Sequence, residues 1–198
     1  MASWLEVRRK QQKLVDFLNQ GSEVSYKNNK TDISFSTAGR TWINSDGRTN
    51  MPSGEVFTGP IEDSVNGVVH FDYPSIYMNQ PVQGITLEVE AGEVTSWTAE
   101  VGQEVLDEVF KIEGARRFGE VAIGTNYNIQ IPTKNILFDE KIGGTIHMAV
   151  GQSYKQTGGL NNSPIHWDMI ADMKKDSEIM VDGEVIYKDG YFLHGLLD

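Results

Sequence analysis

From Gln83 to Trp97 the chain alternates apolar and polar side chains on both sides of Ala91-Gly92. A period of two has one local solution: two strands joined by a tight turn, with one face on a core and the other in water. Similar strand-like runs occur at Glu23 to Tyr26, Asp32 to Phe35 and Gly67 to Phe71, and the second of the alternating runs continues to Val101. The polar stretch Lys27-Asn28-Asn29-Lys30 reads as a hairpin connection, and Val181-Asp182-Gly183-Glu184 as an Asp-Gly turn between two final strands.

Helical spacing is confined to two places. Trp4, Leu5, Leu14, Val15 and Leu18 recur at roughly helical intervals between Ser3 and Asn19, with Gly21 as the stop. Val105, Leu106, Val109, Phe110 and Ile112 form one stripe over Gln103 to Lys111. Strands outnumber helices and do not alternate regularly with them. The expected fold is therefore α+β: mixed or antiparallel sheets with flanking helices, in a single domain spanning residues 1–198.

The chain has 198 residues and no cysteine, which removes disulfides, thiolate zinc sites, cysteine nucleophiles and iron–sulfur clusters together. A bound metal must use oxygen and imidazole. A formal charge of −11 disfavours nucleic acid, whose binding rests on cations that neutralise phosphate. No stretch approaches the ~20 apolar residues of a membrane helix, and the N-terminus lacks a secretory pattern, so a cytoplasmic protein without a membrane partner is expected.

Chemistry concentrates in four places. His166-Trp167-Asp168 on an extended backbone puts an imidazole and a carboxylate on one face, a natural chelating pair. Glu140 precedes His147 across Lys-Ile-Gly-Gly-Thr-Ile, whose glycines permit a bulge or close backbone approach, so that both side chains converge on one ion. Glu55 and Glu120 each follow a glycine and enter an apolar run, where a carboxylate is costly to bury unless paired or coordinated; the alternative is an edge strand with the glutamate in solvent. No His-Glu-x-x-His, Gly-x-Ser-x-Gly or Gly-x-x-x-x-Gly-Lys motif competes with a metal site.

Asn-Met-Pro-Ser-Gly-Glu-Val-Phe-Thr at 50 to 58, Leu-Phe-Asp-Glu at 137 to 140, His147 with Tyr154, and His166-x-Asp168 resemble, in order and spacing, the aminopeptidase T, aminopeptidase S and PepS family. The resemblance runs from about Thr41 to Gly190. It implies a dinuclear metallo-aminopeptidase acting on peptides with a free N-terminus, with two divalent ions (zinc, cobalt or manganese). It also implies Glu55, Glu120, Glu140, His147, His166 and Asp168 as ligands, Glu120 as the bridge between the ions, Tyr154 as a catalytic tyrosine, and a homodimer. The gap between Glu140 and His147 is longer than the family's Glu-Asn-Ala-Ser-x-His form. Family members are about twice this length, so the chain is expected to correspond to their C-terminal catalytic half without the N-terminal domain. Two other readings fit the residues: a module that binds metal without turnover, and a metal-free β-rich binding domain.

Overall fold

The computed structural model describes residues 2–48, 53–129, 133 and 136–198. Asn50, Met51 and Pro52 of the first family motif lie outside the described residues, as does the side chain of Leu137.

In chain order the elements are α1 (Ala2–Leu18), β1 (Glu23–Lys27), β2 (Asp32–Ser36), β3 (Ile43–Ser45), β4 (Glu55–Thr58), β5 (Asn66–Phe71), β6 (Ser75–Tyr77) and β7 (Gln80–Val82). They continue as β8 (Ile85–Glu90), β9 (Glu93–Thr98), α2 (Gln103–Val109), β10 (Phe118–Gly124), α3 (Ile136–Asp139) and β11 (Thr145–Gly151). Then follow a 3-10 turn, Lys155–Thr157, and β12 (His166–Asp172), β13 (Glu178–Val181), β14 (Glu184–Lys188) and β15 (Tyr191–Phe192).

The strands form an eight-stranded sheet in the order β15-β14-β13-β1-β2-β5-β8-β9, a five-stranded sheet in the order β12-β11-β10-β4-β3, and the small β6-β7 hairpin. Every ladder among them is antiparallel. The fold is α+β, as the strand pattern predicts. The hairpin around Ala91-Gly92 is β8-β9, although its second strand ends at Thr98 and Val101 contributes only an isolated bridge to Gln83. In the β1-β2 connection the Asn28 side-chain oxygen accepts from the amides of Lys30 and Thr31, both at 2.8 Å, which closes the turn without glycine.

The two large sheets share one core. Val24, Tyr26, Phe35, Val69 and Leu87 of the larger sheet join Val121, Ile123, Ile146, Met148, Val150 and Met169 of the smaller in a single buried cluster. Each such aliphatic side chain contributes about 1.5–3 kcal/mol by leaving water. Leu14, Val15 and Leu18 bury the C-terminal half of α1, whereas Leu5, which shares the helical spacing, is exposed. The apolar stripe therefore covers the core only over the last turns. On the same helix Gln11 donates through Nε2 to the carbonyls of Ser45 and Glu55, both at 3.0 Å, which fastens α1 to the first residue of β4. No helix among the described residues is long and apolar enough to cross a membrane.

Candidate metal centre

β10 and β11 are buried at every position, so both of their faces have a task. Their register separates the two. Gly124 pairs with Glu55, Ala122 with both Phe57 and His147, Ala149 with both Glu120 and Asp168, and Gly151 with His166. Paired residues share a face and side chains alternate with period two. Glu55, Glu120, His147, His166 and Asp168 consequently project from one face of the five-stranded sheet, interspersed with Ala and Gly that leave room above them. Val121, Ile123, Ile146, Met148, Val150, Trp167 and Met169 project from the other face into the core.

Two local devices aim the glutamates. Gly54 precedes Glu55 at φ 134°, and a Cβ there would stand 2.5 Å from Cβ of Asn126. A register shift between Phe118 and Glu120 turns β10 over Gly119, where a Cβ would lie 2.4 Å from the carbonyl oxygen of Gln152. Glu140 arrives from the turn after α3. That turn is held by the Asn126 amide, which donates to the carbonyl of Lys141 at 3.0 Å, and by the Gly143 amide, which donates to the carbonyl of Asn126 at 2.9 Å. Gly143 and Gly144 end this turn before β11 begins at Thr145.

The side chains converge in two groups, Glu55 with Glu140 and His147, and Glu120 with His166 and Asp168; within each, the potential ligand atoms lie within 4.8 Å of one another. The groups meet at Glu120 and His147. His147 Nε2 donates to Glu120 Oε1 at 3.1 Å and stands 3.4 Å from Glu55 Oε2. Glu120 Oε2 lies 3.7 Å from His166 Nε2, which is 3.5 Å from Asp168 Oδ2. His166 donates from Nδ1 to the carbonyl of Gln152 at 2.8 Å, which orients its ring and leaves Nε2 facing the carboxylates. All six residues proposed from sequence as ligands are thus brought together, and neither Glu55 nor Glu120 faces solvent.

Burial and mutual charge set the protonation of the group. Burial pushes the Glu120 carboxyl up, more than the hydrogen bond from His147 lowers it. Burial likewise carries Glu140 to about 7. For His147 burial acts downward but is outweighed by the hydrogen bond to Glu120 and the charges of Glu55 and Glu140, giving about 10. His166 reaches about 9 because Asp168 and Glu120 outweigh its desolvation. Asp168 is held below the usual carboxylate range, since His166 outweighs its burial.

The donor set fits divalent metal. It is oxygen and imidazole only, and each group contains a buried carboxylate oxygen, Glu55 Oε2 and Asp168 Oδ1, without a hydrogen-bond partner. The face opens into a cavity of about 350 Å³ whose wall includes Ile43, Asp46, Phe57 and Tyr154 beside the carboxylates. Tyr154 precedes the 3-10 turn, is 44% exposed, and packs against the His166 ring at 4.9 Å and the Phe57 ring at 5.8 Å between centroids.

One residue of the site escapes the sequence reasoning. Lys141 is 0% exposed, ion-paired to Glu55 Oε1 at 3.2 Å and to Glu140 Oε1. In sequence it is only the first residue of a longer gap. The usable signal was a lysine between an acidic pair and an apolar, glycine-rich turn, with no exposed face to occupy.

Comparison with known proteins places the chain in a family. The family model described as thermophilic metalloprotease (M29) matches residues 1–192. Aminopeptidase AmpS of Bacillus subtilis (strain 168) is 31% identical across 95% of this chain and 54% of its own length. Aminopeptidase T of Thermus thermophilus is 35% identical across 71% of this chain and 37% of its own. The chain thus spans about half the length, or less, of these relatives. The structure of wild-type AmpT from Thermus thermophilus superposes with a TM-score of 0.85 at 27% identity, covering 98% of this chain and 55% of that one. A 2,5-dihydroxypyridine dioxygenase from Pseudomonas putida KT2440 shares the fold at TM-score 0.79 and 19% identity, over 96% of this chain and 60% of that one. With a family match over nearly its whole length, the chain belongs to the thermophilic metalloprotease (M29) family.

Proposed function

We propose that this sheet face is the catalytic centre of an aminopeptidase that removes residues from the free N-terminus of peptides with the help of two divalent ions, zinc, cobalt or manganese. The observation that carries the reading is the convergence of Glu55, Glu140 and the fully buried His147 beside Glu120, His166 and Asp168, with all but His147 lining one cavity. Such ions supply Lewis acidity and lower the pKa of water. Glu120, with one oxygen toward each group, holds the two positions in fixed relation. The surplus of carboxylates attracts a cationic α-amino group and positions it, which favours cleavage of the terminal residue over internal bonds. The Tyr154 hydroxyl, at the cavity wall, donates a hydrogen bond to the oxyanion that develops on the scissile carbonyl. Partial burial, with the surrounding carboxylates, raises its pKa, so the phenol keeps its proton at neutral pH.

Tyr154→Phe is expected to lower kcat by about 100-fold with bound metal unchanged, read from aminoacyl-nitroanilide turnover and metal analysis. His166→Ala is expected to lose bound metal and more than about 100-fold in turnover. N-acetylated substrates should resist cleavage. Metal-free wild-type protein, or equal metal content in His166→Ala, would sink the assignment; metal bound without turnover would favour a binding module.

A further inference from the structure

We propose that the Lys141 ammonium holds the place of a cation in the Glu55–Glu140 half of the centre, so that the two halves load with metal in a fixed order. The inference rests on the metal-centre reading above and concerns only the sequence of filling. Glu120, His166 and Asp168 take the first ion; Glu55, Glu140 and His147 take the second only once Lys141 has moved aside.

Three observations support this. Lys141 is fully buried and its ammonium already pairs with one oxygen of each carboxylate that the second ion requires. Its backbone is fixed, the carbonyl accepting from Asn126 at 3.0 Å and the amide donating to Phe138 at 3.3 Å, so the side chain alone must swing for the carboxylates to be released. The other half has no such occupant: among the described residues the ion pairs of Glu120 and Asp168 are with histidines, and neither carboxylate has a lysine or arginine within 4.0 Å. An imidazole can give up its proton and become a ligand. A buried lysine must be displaced or hold its charge against the incoming ion, and like charges at contact distance in a desolvated site repel strongly.

The test is zinc titration of the chelator-stripped full chain by equilibrium dialysis with metal analysis. Wild type is expected to bind two ions with dissociation constants separated by roughly 100-fold or more. Lys141→Met should bring the two constants to within about tenfold of each other, while Lys141→Arg, which keeps the charge, should preserve the separation. His166→Ala should abolish the tight step and leave the weak one. If Lys141→Met does not fold without metal, it can be refolded in zinc and the two ions withdrawn with graded chelator; the wild-type and His166→Ala titrations stand regardless. Equal affinities in wild type, an unchanged separation in Lys141→Met, or loss of the weak step in His166→Ala would each overturn the ordering and leave the metal centre standing. No bound zinc in any of the four proteins would overturn both.

Discussion

Glu120→Gln is expected to weaken metal binding by at least about 100-fold and to remove peptidase turnover, yet to leave a folded protein that melts no lower than wild type when both are metal-free at pH 8. The two halves of this result have one cause. Burial pushes the Glu120 carboxyl up even though His147 donates to it, so the folded chain favours the neutral form of this side chain. A neutral amide of the same shape relieves that preference, and loses the charged oxygens that face both side-chain groups. Calorimetry of the stripped proteins and zinc dialysis check the two halves separately. A marked fall in melting temperature would mean that the carboxylate stabilises the fold, contrary to its environment.

Metal-free protein is also expected to lose stability steadily as pH rises from about 6.5 to 10, an unusual slope for an acidic chain. His147 and His166, held at about 10 and about 9 in the folded state, contribute stability that is complete below their unfolded value of 6.5 and is lost as pH climbs through those folded values. Glu140, raised to about 7, acts in the same direction at the lower end: the folded state resists its ionisation while the unfolded chain does not. Asp168, held low, works oppositely, but only below the ordinary carboxylate range and outside this window. Coupling among these groups reduces the sum, and a loss on the order of 3 kcal/mol is expected. Zinc should remove the slope, because the metal takes deprotonated imidazoles and its affinity grows with pH. Urea melts at pH 7 and 9.5, with and without zinc, read this directly; a metal-free protein of equal stability at both values would show that the histidines are not paired as described.

Legibility from sequence followed what each side chain faces. The β8-β9 hairpin is plain because one face meets water, and the period of two appears in its burial as well as its sequence. The spacing of His166 and Asp168 is legible for the same reason. β10 and β11 are harder: both faces are buried, so no polar alternation marks them, and the division into a carboxylate-and-imidazole face and a core face emerges only from pairing Ala122 with His147 and Ala149 with Glu120 and Asp168. Leu5 shows the reverse, helical spacing without burial. Lys141 is hard to read because, although Glu140 is its chain neighbour, its other partner, Glu55, comes from a distant strand, and only the fold shows that a charged side chain points inward there. The six residues expected from sequence as ligands follow motif spacing; that they converge in two adjoining groups is a property of the sheet.

This face of the five-stranded sheet is proposed to be a metal centre. Anomalous diffraction at the zinc edge from crystals grown at limiting and then saturating zinc tests it most directly. One strong peak is expected among Glu120, His166 and Asp168 at limiting zinc, joined at saturation by a second among Glu55, Glu140 and His147. Peaks elsewhere on the protein, or none on this face at saturation, would contradict it.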